Sequence, residues 1–390
     1  MIGRLWRKRL YRPEALGCIL RDALGGTRQV RETRQHLEAA AQWILRAQAA
    51  TPDDGVSGGY CFEDGWIASY PETTGYTIPT LLAYSAYAGV PLYCERAIAM
   101  ARWELRVQLA SGAFPGHFVD RANPPVVFNT GQVIFGLLAA FEATGDPVFL
   151  AAARRAGEWV VSVQDPDGAW RKFEHQGHLH SYNTRTAWAL VELAVAAQDD
   201  GLLAAARRNL DWALRQQLAD GWCQHAGFTP DVPPFLHTIA YTTQGLLEAG
   251  LRLKEPRYLE GAERACRAVL RHVGEDGWSP GAFDAGWRPA ASYSCLTGNA
   301  QMAVQWFRLA SFTGEAAFRE GALRTTAFLK ATQDCENPNP NIRGGIKGSH
   351  PIYGRYLFGT YPNWATKFFM DALLLEESAR HGTELETRCW

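Results

Sequence analysis

Two acidic residues in aromatic surroundings are the first candidates for chemistry in this sequence. Glu72 follows Tyr70-Pro71 and opens an apolar run, and Asp284 stands between Phe283 and Trp287. An apolar setting raises a carboxyl pKa and keeps a proton available near neutrality. Glycoside hydrolysis uses two such groups across the scissile bond, one protonated and one ionised. Glu63, Asp64, Glu174 and Asp231 lie in segments of similar composition. For Glu72 a plainer role competes, because a carboxylate in the first turn of a helix is favoured by the helix dipole alone.

A second group is denser. His175, His178, His180, Tyr182, Asn183 and Arg185 fall within eleven positions. They supply what removal of a proton alpha to a sugar carboxylate requires: a His or Tyr base, and Asn, His or Arg to neutralise the acid. In that reading His178, His180, Tyr182 and Arg185 carry a β-elimination or an epimerisation. In the plainer one the histidines fill a loop, Asn183 caps a helix and Arg185 forms an ion pair at the core edge. A third group, Lys347, His350, Tyr353, Arg355, Tyr356, Asn363 and Lys367, gathers cations and points to an anionic substrate such as a uronate or a pyrophosphate. Trp66, Tyr70, Tyr76, Tyr241, Trp287, Tyr293 and Trp364 are interleaved with these groups, and His237 stands near Tyr241. Aromatic faces stack on the C–H face of a sugar while neighbouring polar groups bond its hydroxyls, and they also attract a carbocation. Asp64, Glu174, Asn183, Lys347, His350, Tyr353, Tyr356 and Asn363 complete the substrate-binding set.

An internal repeat positions these groups. One segment type begins with small or hydroxyl residues and continues as an apolar helical run. It starts at Thr73, Asn129, Asn183, Tyr241, Thr297 and Asn363, with steps of roughly 55 to 65 residues, the size of a large helical repeat. The leading Thr or Asn suits an N-cap, and the apolar character on most faces predicts burial on most faces. A second, amphipathic type alternates with it: Trp43 to Gln48, Trp103 to Gln108, Trp159 to Gln164, Trp212 to Gln217, Ala268 to His272 and Phe328 to Gln333. Turns rich in Gly and aromatics follow, such as Asp167-Gly-Ala-Trp170. Six buried and six amphipathic helices predict an all-α (α/α)6 toroid, an inner ring inside an outer one around a central cavity. Closure is favoured over an open solenoid because both ends are expected to contribute full hairpins. The chemically rich segments then all lie on the rim where the inner helices begin, with free N–H groups pointing at the cavity.

The stretch Arg155-Ala-Gly-Glu-Trp-Val-Val-Ser-Val-Gln-Asp-Pro-Asp-Gly-Ala-Trp170 resembles the Gln-Trp repeat of squalene and terpene cyclases and prenyltransferases, in which the Gln caps the outer helix and the Trp stacks under it. A looser form of the pattern is similar to six-hairpin glycosidases, polysaccharide lyases and sugar epimerases. The resemblance spans about residues 36 to 380. It is specific for the fold and weak for the chemistry. It implies rim carboxylates at positions like that of Glu72, and a His/Tyr/Asn/Arg site like that of toroid lyases. The zinc that related prenyltransferases bind has no matching ligand set, since Cys61, Cys223 and His225 lack the spacing. Acid and magnesium motifs of terpene cyclases are absent, and Asp53-Asp54 and Asp199-Asp200 are pairs in turns.

Composition narrows the classes further. The 390 residues are 47% hydrophobic and 20% charged, so a large core forms. A net charge of -1 argues against nucleic acid as a partner. The eight cysteines are scattered and do not read as a disulfide framework. Arg4, Arg7, Lys8, Arg9 and Arg12 make a basic N-terminal arm, taken as residues 1–30 before a toroid domain at 31–390. With Leu5, Trp6 and Leu10 the arm has the makings of a peripheral membrane contact, though also those of a solvated tail. No apolar stretch of signal-peptide or membrane-span type follows, so a cytoplasmic location is expected. The expectation is a carbohydrate-active enzyme without cofactor or metal. It cleaves a bacterial, uronate-bearing poly- or oligosaccharide by hydrolysis (Glu72 and Asp284) or β-elimination. A sugar epimerase, a cyclase-like toroid and a non-catalytic sugar binder are the alternatives.

Overall fold

The computed structural model describes residues 11–382. The helices in chain order are α1 Pro13–Ala23, α2 Thr33–Ala49, α3 Pro71–Ala88, α4 Pro91–Val107, α5 Val127–Thr144, α6 Pro147–Ser162 and α7 Thr184–Ala197. They continue as α8 Asp200–Arg215, α9 Leu236–Leu253, α10 Pro256–Leu270, α11 Leu296–Thr313, α12 Ala316–Thr332 and α13 Asn363–His381. Helices α3, α5, α7, α9, α11 and α13 each pack on the next, and α13 packs back on α3. This is the inner ring. Each inner helix carries one outer partner: α4, α6, α8, α10 and α12 follow in sequence, while α13 is partnered by α2. The ring is therefore closed, but not by two full terminal hairpins. Its sixth hairpin is shared, with the outer helix from the N-terminal end and the inner one from the C-terminal end. An antiparallel pairing of Gly59–Cys61 with Thr360–Pro362 ties the same seam. The architecture is the (α/α)6 toroid.

The inner helices are buried almost all round, as their apolar composition requires. Helix α5 is long and apolar enough to cross a membrane by composition, yet it is mostly enclosed by the ring. The Thr and Asn residues at the inner-helix starts do not act as caps: none of these six helices has a side-chain cap. Several of the threonines instead accept a hydrogen bond from the preceding rim loop. Val56 N–H donates to Thr74 Oγ1, Phe114 N–H to Thr130 Oγ1 and Ile346 N–H to Thr366 Oγ1, each at 3.0 Å. Helices α3, α5 and α9 begin earlier than the cap reading assumed, at Pro71, Val127 and Leu236, whereas α7 begins directly after Asn183 and α13 at Asn363.

The Gln of the repeat holds neighbouring hairpins together. Gln164 Nε2 donates to Gly168 O (3.1 Å) in its own turn and to Ala205 O (3.0 Å) on the next outer helix, α8. Gln108 and Gln217 repeat the pattern toward α6 and α10, and Gln333 reaches His36 O on α2, across the seam. Gly168 has φ +96°, and a Cβ there would overlap the Arg208 carbonyl, so the turn requires glycine. Trp170 is buried and donates to Val160 O at 2.9 Å. Gln164→Leu should strand two carbonyls and destabilise the fold by about 2–3 kcal/mol. Urea unfolding would check this, and an unchanged midpoint would assign the bond no structural value.

The segment read as a solvated arm is in part a docked helix. Ala15, Cys18 and Asp22 of α1 are buried, and Lys347 Nζ donates to both Asp22 carboxylate oxygens at 2.6 and 2.7 Å. Arg4, Leu5, Trp6, Arg7, Lys8, Arg9 and Leu10, on which the membrane reading rests, lie outside the described residues.

One buried carboxyl in the outer ring has no structural partner. Both carboxyl oxygens of Glu104, on α4, are buried without a hydrogen bond. Burial first, and Asp53 second, push its pKa well above the ordinary value. A carboxyl raised in the folded state keeps its contribution to stability below the unfolded pKa and loses it as pH rises through the folded value. Glu104→Met should therefore stabilise the protein at pH 7.5, by about 1–3 kcal/mol, and by less at pH 5. Urea midpoints at the two pH values measure this, and an equal shift at both would sink the explanation.

Candidate active site

A cavity of about 230 Å³ opens at the end of the ring where the inner helices begin. It is lined by Tyr70, Glu72, Thr73 and Tyr76 from the start of α3, Phe128 and Asn129 from α5, and His237 and Tyr241 from α9. Tyr182, just before α7, and Trp364, on α13, also reach it. The rim loops add His117, Phe118, His175, Phe228, Tyr356 and Leu357. Among the described residues that line it there is one carboxyl and no lysine or arginine.

The carboxyl is Glu72, aimed inward by the first turn of α3 behind Pro71. Tyr70 Oη donates to its Oε2 at 2.6 Å, and Asn129 Nδ2 donates to the same phenol oxygen at 3.4 Å. Burial pushes the Glu72 carboxyl up to about 7, while the Tyr70 bond and then the Arg185 charge hold it down. At neutral pH this group is thus poised between acid and base.

His237 is its neutral counterpart. Its Nδ1 lies 2.8 Å from Gln301 Oε1. An amide oxygen only accepts, so Nδ1 carries the proton and Nε2 keeps a lone pair. Burial lowers His237 to about 3, and its ring packs 4.3 Å from Tyr241 and 5.4 Å from Tyr356. His117 and His175 form a second imidazole pair, with ring centroids 5.1 Å apart. Burial and then the His117 charge lower His175 to about 4. Trp364 Nε1 donates to Tyr356 Oη at 2.8 Å, fixing two walls.

Of the residues singled out from the sequence for chemistry or binding, Glu72, Tyr70, Tyr76, His175, Tyr182, His237, Tyr241, Tyr356 and Trp364 meet in this cavity. Asp284 does not: it sits on a small hairpin, partly exposed, and accepts from Arg288 Nε at 3.0 Å. Arg185 does not line the cavity either. It is fully buried behind the rings of Tyr76 and Tyr241, with Phe135, Trp188 and Phe368 completing the cage. Its Nε donates to Gln132 Oε1 at 2.6 Å and its Nη1 to Gln244. Among the described residues no carboxylate bonds it, contrary to the ion pair the plainer reading assigned. His180 is buried with Nδ1 3.0 Å from Gly227 O and Nε2 2.9 Å from His175 O, so it pins two rim loops together. His178 lies outside, on a neighbouring groove. Glu174 and Asn183 are buried against each other, Asn183 Nδ2 donating to Glu174 Oε2 at 2.9 Å.

The remaining assigned residues do not line the cavity. Asp64 is exposed beside Cys61, and Trp66 donates to Asn341 Oδ1 and packs on Trp43. Trp287 packs on Trp222 and donates to Asp220 O, and Tyr293 covers Gly354 and Gly281. Lys347 and His350 are held at Asp22, Tyr353 is exposed, and Asn363 donates to Ser57 O and Thr73 Oγ1. Lys367 pairs with Asp371 inside the ring. Lys347, His350 and Lys367 are therefore committed elsewhere, whereas Arg355 is exposed on the last rim loop and does not line the cavity. The assigned site residues did not include His117, Phe118, Phe128, Asn129 or Phe228. The cue available for them was their rim position, one repeat on from Glu72 for His117, Phe118, Phe128 and Asn129, and in the loop leading into the helix of His237 for Phe228.

The fold and site define a closed α/α toroid with an aromatic-walled acid–base cavity. Residues 95–245 match the model of the squalene-hopene cyclase C-terminal domain. Among solved structures, an unsaturated glucuronyl hydrolase specific for heparin is similar at 15% identity and TM-score 0.73, over 91% of this chain and 99% of that one. Cellobiose 2-epimerase from Bacillus thermoamylovorans aligns at 13% identity and TM-score 0.72, over 90% and 98%. A sugar epimerase from a ruminal bacterium aligns at 14% and 0.70, over 91% and 99%. These likenesses are to the fold. No curated protein matches the sequence significantly.

Proposed function

We propose that this protein is a carbohydrate-active enzyme that moves a proton on an uncharged sugar, an epimerase-type reaction, with His237 as base and Glu72 as acid. The observation that carries the reading is a neutral imidazole and one near-neutral carboxyl lining the same cavity, with no cation in its wall. Two-carboxylate hydrolysis lacks its expected partner, because Asp284 does not line the cavity and pairs with Arg288 on a hairpin. Elimination from a uronate needs a cation to neutralise the sugar's carboxylate, and among the described residues no lysine or arginine lines the cavity. Aromatic walls with Tyr70, Asn129 and Thr73 among them suit a sugar's C–H faces and hydroxyls. The toroid neighbours include enzymes named as sugar epimerases, which supports the same direction.

In this mechanism the open-chain sugar places a C–H alpha to its carbonyl near His237 Nε2. The imidazole takes the proton and Glu72 gives its proton to the carbonyl oxygen, leaving an enediol. Glu72 then takes back the oxygen proton while the imidazolium returns its proton to carbon, restoring the centre on the original face and inverting it when the enediol has turned its other face to His237. The test is incubation of the protein in heavy water with neutral reducing mono- and disaccharides, read by proton NMR. Loss of one ring-carbon proton signal with a new epimer is expected. New reducing ends without exchange would instead assign a hydrolase.

One observation favours a second reading: a single acid in an aromatic box also suits protonation of an alkene and stabilisation of the resulting cation. The squalene-hopene cyclase match points the same way. Conversion of linear polyprenes by a protein inert to sugars would replace the first reading with this one.

A further inference from the structure

Beside the cavity lies a second hollow that the chemistry above does not use. It measures about 540 Å³ and runs between the His178–Leu179 segment and the loop from Leu218 to Pro234. The two spaces share one wall. His175 and Phe228 face the cavity, while His178, Gly227 and Thr229 face the groove. His180 stands inside that wall and contacts both Gly227 O and His175 O. Ser181 N–H donates to His225 O at 3.0 Å, a third tie between the loops. The partition is therefore built, and both spaces are reached from the same rim.

The lining of the groove alternates in character. Leu179, Trp222 and Val232 offer apolar faces, and His178, Gln224 and His225 offer donors and acceptors. Val232, Gln224 and His225 are exposed, so these groups are free to meet a ligand. His225 holds φ +62°, a backbone conformation that costs energy for any residue with a Cβ and that gathers at ligand-facing loops. No carboxylate, lysine or arginine lines the groove among the described residues. Its surface thus has the same uncharged, mixed chemistry as the cavity, in a wider and more open form.

We infer that this groove is a second sugar subsite, so that the substrate is a neutral oligosaccharide or glycan end with its reacting unit in the cavity and the adjoining unit in the groove. The inference rests on the carbohydrate reading and extends it to the length of the substrate. A small cavity enclosed by rings takes one unit, and the glycosidic bond to the next must leave past the shared wall. The Gly227–Thr229 strip borders both spaces and is where it would cross.

The experiment is binding and heavy-water exchange on a neutral series from mono- to tetrasaccharide, with wild type, His225→Ala and Val232→Glu. Both positions are exposed loop residues, so the fold is retained and circular dichroism checks it. Wild type should gain about tenfold in affinity from mono- to disaccharide and little beyond, and each variant should lose most of that gain. A wild type that binds monosaccharide as well as disaccharide would overturn the subsite while leaving the carbohydrate reading intact. So would variants that keep the full gain. If no sugar of any length binds, the carbohydrate reading itself fails and the subsite falls with it.

Discussion

Glu72→Gln should lower the exchange rate by about 10²–10⁴-fold, the usual worth of a positioned acid or base, and should at the same time make the protein more stable at pH 7.5. The two effects have one cause. Burial holds the Glu72 carboxyl at about 7, against an ordinary value of 4.5. The raised value means that stability is fully present below about pH 4.5 and is lost as pH rises through 7, where the buried group ionises. A glutamine keeps the oxygen that accepts from Tyr70 but never ionises. The gain should be on the order of 1–3 kcal/mol at pH 7.5 and should vanish near pH 4.5. A residue that merely propped the fold would lose stability on substitution. Exchange kinetics beside urea midpoints at the two pH values would separate these outcomes, and full activity with unchanged stability would remove Glu72 from the mechanism. The pH profile adds a further check. If Glu72 must donate a proton, kcat/KM should fall tenfold per unit above its pKa of about 7. Ionisation of His237 sets the acid limb, at about 3.

His237→Ala should cost a similar factor, about 10²–10⁴ in kcat with a smaller change in KM. The base acts only in the transition state, whereas the walls that bind the sugar stay in place. Truncation also leaves a space lined by Tyr241, Tyr356 and Gln301. Added imidazole should enter it and restore part of the rate. Rescue by imidazole but not by a bulkier amine would mark loss of a base, and loss of rate without rescue would indicate collapse of the wall. The double variant should lose little more than either single one, because acid and base act on one proton transfer. Independent, multiplying losses would separate the two residues mechanistically.

How much of this was legible in the chain differs between fold and site. The repeat of Gln-bearing amphipathic segments and small-residue apolar segments is local, and each copy says the same thing about burial and turns. The toroid, the two helix rings and the rim location of the chemistry follow from that repetition. Glu72 was legible because the Tyr-Pro-Glu order places it at a helix start whatever the neighbouring repeats do. Asp284 was not, because an aromatic neighbourhood in sequence cannot tell a cavity wall from a hairpin that gives its carboxylate to Arg288.

The cationic residues show the same divide. Lys347 and Lys367 read as part of a charge cluster facing an anion, and Arg185 as the group that neutralises a sugar carboxylate. In the structure Lys347 holds α1 through Asp22, Lys367 pairs with Asp371, and Arg185 sits among five rings. Their partners are distant in the chain or one helical turn away on a face whose direction only packing sets. The sequence by itself determined the number of hairpins, the faces they bury and the rim on which the polar and aromatic loop residues gather, because those depend on period and composition. Only the tertiary structure decided that the seam hairpin is shared by the two ends, and which charges are spent inside the wall. It also decided that Glu72 and His237, on α3 and α9, line one cavity. Those outcomes depend on ring closure, and ring closure brings together residues that no local pattern connects.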